Sequence, residues 1–66
     1  MTVTINGQRR NLPEGMSLVE AVSRFFPDSG SLVVERNGSF VRPGEWVKTS
    51  LADGDVLEMI QFVGGG

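Results

Sequence analysis

Apolar and polar positions alternate at the two ends of the chain and recur at helical spacing between them. Met1, Val3 and Ile5 fall on one side of an extended segment and Thr2 and Thr4 on the other. That period of two, rich in β-branched residues, predicts a strand with one buried face. Asn6-Gly7 follows, and both residues tolerate positive φ, so the pair reads as a hairpin turn. Gln8 to Leu12 is the return strand. It is polar except for Leu12, which suits an edge, and Arg9 and Arg10 discourage pairing with another edge. Pro13-Glu14-Gly15 ends it.

A helix starts at Ser17. Glu20 stands three residues later, the spacing of a capping box in which hydroxyl and carboxylate each bond the other residue's backbone N–H. Leu18, Ala21, Val22, Phe25 and Phe26 then form one apolar stripe, which places both phenylalanines in the core. Pro27 stops the helix and Asp28-Ser29-Gly30 reads as a turn. Leu32 to Arg36 is a third strand, Asn37-Gly38 a second hairpin signal, and Ser39 to Arg42 a short partner strand. Pro43 to Val47 reads as a turn running into a helical turn, with Trp46 in or just below the core. Asp53-Gly54-Asp55 is a tight turn, and Val56 to Val63 is the last and longest strand.

That order is α+β, with hairpins at both ends and one helix between them. The helix stripe is buried most simply across a single sheet. The first and last strands are the most apolar and belong at the sheet centre, side by side; if parallel, the intervening chain supplies the crossover. This is the β-grasp, or ubiquitin-like, arrangement: a mixed sheet of four or five strands holding one helix, Ser17 to about Phe26, in its concave face. Leu18, Val22, Phe25, Val3, Ile5, Leu57 and Met59 are the expected core. Residues 1–63 form the domain and 64–66 a flexible glycine tail.

Composition narrows the chemistry. Sixty-six residues leave room for one domain. A chain this short buries only ~60% of its unfolded surface. There is no Cys and no His, so disulfides, Cys/His metal sites, a thiol nucleophile and a His-based triad are excluded. Six basic against eight acidic residues give a net charge of −2, unlike the basic surplus of nucleic-acid binders or polybasic membrane patches. No apolar run has the ~18 residues of a membrane-spanning helix, and MTVTINGQRR lacks the form of a secretory signal. The expectation is a cytoplasmic chain, monomeric when free.

Alternation along the last strand also predicts a surface. Glu58 lies mid-strand and must face water, since a lone buried carboxylate is costly. Val56, Ile60 and Phe62 share its face, while Leu57 and Met59 turn to the helix. Glu58, Ile60 and Phe62 are therefore candidates for docking a partner. A slip of one residue in register would invert the two faces.

The strand runs into Gly64-Gly65-Gly66, three of the nine glycines. Their only functional group is the α-carboxylate of Gly66. With no Cβ, other backbones approach closely, and three extended residues reach ~10 Å. Such a thread suits a narrow channel in a partner. The plain alternative is a frayed end with no role.

Asn37-Gly38, Val41 with a nearby Pro, Trp46, Leu51-Ala52-Asp53-Gly54-Asp55 and Val63-Gly64-Gly65-Gly66 together resemble the ubiquitin-like sulfur-carrier family. Within it, the chain looks most like the thiamine-biosynthesis carriers that donate sulfur to thiazole synthase. Arg42-Pro43 departs from relatives that place the Pro first, which touches loop detail alone. The resemblance implies a carrier that is not itself an enzyme and has no catalytic residue or cofactor. An adenylating enzyme of the ubiquitin-activating type uses ATP and Mg²⁺ to make an acyl-adenylate at Gly66. A persulfide-bearing donor supplies the sulfur, and the product is a thiocarboxylate. Gly64 and Gly65 provide clearance. The alternatives are the small sulfur-carrier subunit of molybdopterin synthase, a ubiquitin-like protein modifier, and an interaction domain with an inert tail.

Overall fold

The computed structural model describes residues 1–27 and 31–62. The turn expected at Asp28-Ser29-Gly30, and Val63 with the glycines Gly64, Gly65 and Gly66, lie outside the described residues. Strands β1 (Thr2–Ile5) and β2 (Gln8–Asn11) form the first hairpin. Helix α1 (Leu18–Phe25) follows, then β3 (Ser31–Arg36) and β4 (Ser39–Val41), a 3₁₀ helix (Pro43–Lys48) and β5 (Val56–Phe62). The sheet order is β2-β1-β5-β3-β4, with β1 and β5 parallel and the other pairs antiparallel. The β-grasp arrangement and the central pairing of the first and last strands are thus as the pattern predicts.

Both Asn-Gly pairs make the turns they announce. Asn6 and Asn37 sit at φ 50° and 52°, and Gly7 and Gly38 at 81° and 85°, the paired positive values whose twist matches that of the strands. The helix begins as its spacing requires. The Glu20 N–H donates to the Ser17 hydroxyl at 3.2 Å, and the Ser17 N–H donates to the Glu20 carboxylate at 3.2 Å. Ser17→Ala leaves one N-terminal donor without its acceptor. The expected loss is about 1 kcal/mol in urea unfolding, with the sheet unchanged in amide chemical shifts.

The core lies between α1 and one face of the sheet. Leu18, Ala21 and Val22 of the helix meet Val3, Ile5, Val34, Leu57 and Met59 of the three central strands, with Leu12 and Leu51 closing the ends. Phe25 and Phe26 depart from the expectation. Both pack against this cluster yet stay half-buried. Phe25 ends α1 and Phe26 caps it, at the end of the sheet where β1 has stopped at Ile5. There the guanidinium groups of Arg10 and Arg24 cover the Phe25 ring, at 5.3 and 5.7 Å from its centroid. Trp46 is half-buried as expected, and its indole N–H donates to the Val41 carbonyl at 3.0 Å.

Candidate functional site

Strand β5 connects the core to the glycine tail, and three sets of contacts fix its course. On one side β3 pairs with it along six positions, from Arg36↔Leu57 to Ser31↔Phe62. On the other side β1 pairs only at Thr4↔Val56 and Ile5↔Leu57 before it turns away. Beyond that point the side chain of Asn6 takes over. Its amide donates to the Met59 carbonyl at 3.0 Å and its oxygen accepts the Met59 N–H at 2.8 Å. One side chain thus satisfies both backbone groups that β1 would otherwise have met.

The start of β5 is held by Asp55, which is only 5% exposed. Its carboxylate accepts from Arg36 Nε at 2.9 Å, Asn37 Nδ2 at 3.0 Å and the Ala52 N–H at 2.9 Å. Asn37 in turn accepts the Val56 N–H at 2.9 Å. Burial by itself pushes the Asp55 carboxyl up. The hydrogen bonds from Ala52, Asn37 and Arg36, with the Arg36 charge, outweigh it and hold the group below its ordinary value. The Asp53-Gly54-Asp55 segment is the expected tight turn, with Gly54 at φ 87°. Asp55 is also a structural hub that local spacing did not announce.

With β5 so placed, its faces divide as alternation predicts. Leu57 and Met59 are buried against the helix, while Glu58, Ile60 and Phe62 are exposed, the last two at 49% and 57%. The sheet adds residues that sequence reasoning missed. Register sets Val33 opposite Ile60, Glu35 opposite Glu58 and Ser31 opposite Phe62. On β4, Phe40 stands opposite Glu35 and is 58% exposed. Alternation within LVVER does put Val33 and Glu35 on one face; which strand lies beside them depends on the sheet order. The open face is therefore an apolar surface crossed by a row of Phe40, Glu35 and Glu58.

On the helix side, a cleft of about 270 Å³ lies between the first hairpin and the end of α1, lined by Ile5, Asn6, Gln8, Arg10, Phe25 and Phe26. Among the described residues no group of three Asp, Glu, His or Cys side chains is placed to hold a metal ion. No helix of the described residues is long and apolar enough to cross a membrane. Of the sequence-predicted site residues, Glu58, Ile60 and Phe62 are brought together on the open face; Gly64, Gly65 and Gly66 lie outside the described residues.

The family model described as "ThiS family" matches residues 3–66. The chain belongs to the ThiS family. It is a sulfur carrier of the thiamine-biosynthesis type, as its sequence resemblance implies. A crystal structure of the thiamine biosynthesis protein ThiS from Geobacter metallireducens superposes with a TM-score of 0.84 at 29% identity, covering 100% of both chains. An NMR solution structure of a thiamine biosynthesis protein from the same organism gives 0.79 at 29% identity, covering 100% of this chain and 88% of that one. A thiazole synthase of Paramagnetospirillum magneticum is 35% identical over 66 residues, which are 100% of this chain and 20% of that protein. The chain thus spans about a fifth of that relative's length. The uncharacterized protein ycf40 of Trieres chinensis is 31% identical over 65 residues, covering 98% of this chain and 89% of that one.

Proposed function

We propose that the Gly66 carboxylate carries the sulfur. A carboxylate is a poor electrophile. Attack of its oxygen on the α-phosphorus of ATP expels pyrophosphate and leaves an acyl-adenylate, whose carbonyl a sulfur nucleophile attacks with loss of AMP. Mg²⁺ on the adenylating partner offsets phosphate charge in that step. The carrier supplies no cofactor and no catalytic side chain. It acts as co-substrate of its partners in the cytoplasm. A persulfide-bearing enzyme provides the sulfur. Its outer sulfur displaces AMP to give an acyl disulfide. A second thiol on a partner enzyme cleaves that S–S bond, forming a disulfide with the donor and releasing the thiocarboxylate, which passes its sulfur to thiazole synthase. Residues 1–63 present the thread and residues 64–66 are the thread.

The observation that carries this reading is the family match across residues 3–66, the glycines included. The thiazole synthase relative, in which a stretch like this whole chain occurs within a longer protein, supports thiazole synthase as acceptor over molybdopterin synthase or a lysine of a target protein. The test is intact mass. With the adenylating enzyme of the same genome, ATP, Mg²⁺ and sulfide, the chain gains about 16 Da as oxygen is replaced by sulfur. No gain under these conditions, with isopeptide adducts on gels instead, establishes the modifier reading in its place.

Docking of that enzyme is assigned to the open face through Ile60, Phe62 and Glu58. Ile60→Asp adds a charge where the side chain is half in water, so the fold tolerates it and the interface does not. The expected result is a thermal midpoint within a few degrees of wild type and complex formation weakened at least about tenfold in titration calorimetry. Unfolding of the variant, with unchanged affinity in the folded fraction, contradicts the assignment.

A further inference from the structure

Two carboxylates in the middle of an exposed apolar face need an explanation. Glu35 and Glu58 stand directly opposite each other on β3 and β5. Like charges in that position destabilise a sheet. The chain does not neutralise them. All six of its basic residues are described. Arg36 pairs with Asp55, Lys48 lies 3.9 Å from Glu45, and Arg10 and Arg24 lie over Phe25; no ion pair among the described residues reaches Glu35 or Glu58. Around the two acids lie Phe40, Val56, Ile60 and Phe62, all exposed.

We infer that this face receives a basic side chain of the adenylating partner, seated between Glu35 and Glu58 with the Phe40 ring beside it. The inference rests on the carrier reading and names the chemistry of its docking surface. A guanidinium meets each requirement. Its planar fork donates to carboxylates on two sides, and an aromatic ring at the end of the row adds attraction to a cation. Charge selects among the possible occupants. A wholly apolar partner would strip water from two carboxylates and return no cation, which is costly. A second copy of this chain would bring two such acid pairs together across a two-fold axis. A partner that matches both the apolar surround and the negative centre is an apolar patch bearing Arg or Lys.

The test uses the full chain and the adenylating enzyme of the same genome, with affinity measured by calorimetry at low and high salt. The variants are Glu35→Gln, Glu58→Gln and the double substitution, with Glu14→Gln, exposed and distant in sequence from both strands, as a control for the single charge that each one-site variant removes. The double variant is expected to keep a thermal midpoint at or above that of wild type, because a repulsion is removed. Its affinity at low salt is expected to fall about tenfold or more, and its salt dependence to flatten relative to wild type. Glu14→Gln should match wild type in both. If the double variant binds as tightly as wild type with the same salt dependence while wild type gains sulfur, the cation seat is wrong and the carrier reading stands. If wild type neither binds the enzyme nor gains mass, both fall. Sedimentation of free wild type as a dimer through this face also overturns the inference.

Discussion

Appending one alanine after Gly66 will abolish the sulfur-dependent mass gain of about 16 Da that the carrier reading expects for the unaltered chain. Adenylation acts on one carboxylate, and the extension moves that group one residue, ~3.5 Å, farther along an extended thread. It also adds a Cβ where the partner's channel is expected to admit backbone alone. Gly65→Val tests the clearance separately. The terminal carboxylate is kept, but a β-branched side chain stiffens and thickens the thread. Its yield should fall by about an order of magnitude or more, while its unfolding curve in urea stays superimposable on that of wild type. An extended chain that forms a thiocarboxylate at its new end in comparable yield means that the chemistry does not depend on the position of the terminus.

Asp55→Ala will be among the most damaging single substitutions to stability. The carboxylate is buried and meets Arg36, Asn37 and the Ala52 N–H. Its loss leaves those donors unmatched. Removing one partner from a buried charge pair costs about 3–5 kcal/mol; because Arg36 is partly exposed, the lower end, about 3 kcal/mol, is expected. A chain of this length has about 3–10 kcal/mol in total, so the melting point falls by more than about 10 °C. Calorimetry checks this, and a loss under about 1 kcal/mol, the scale of an exposed ion pair, contradicts it. Asp55→Asn supplies the pH arm. The folded pKa is held below the ordinary 3.8. The carboxylate's contribution is therefore fully present above that ordinary value and is lost as pH falls from it through the folded value. Wild type should lose stability over that acid window, and Asp55→Asn should lose correspondingly less there.

The parts legible in the chain are those whose cause is local. The capping box at Ser17 and Glu20 needs only a spacing of three. The positive φ of Asn6-Gly7 and Asn37-Gly38 needs only residues that tolerate it. The division of β5 into a buried side at Leu57 and Met59 and an open side at Glu58, Ile60 and Phe62 follows from a period of two and the cost of burying a lone carboxylate. Phe25 and Phe26 show where such reasoning stops. Helical spacing puts them on the apolar stripe, but burial also requires sheet beneath them, and β1 has ended by that point.

The element order, the apolar stripe of the helix and the charge of −2 without Cys or His are all readable from the residues in order. With the residues of the family match, they are the ground on which we propose a backbone thread served by a partner that brings the reagents. Meetings between distant residues depend on the assembled sheet. Asn6 grips Met59 across 53 positions in the chain. Asp55 gathers Arg36 and Asn37 from the second hairpin. Glu35 and Glu58 face each other because β3, and no other strand, lies beside β5 on that side. Periodicity states which way a side chain points relative to its own backbone. What stands opposite it depends on strand order and register, which are set when the whole sheet closes around one core.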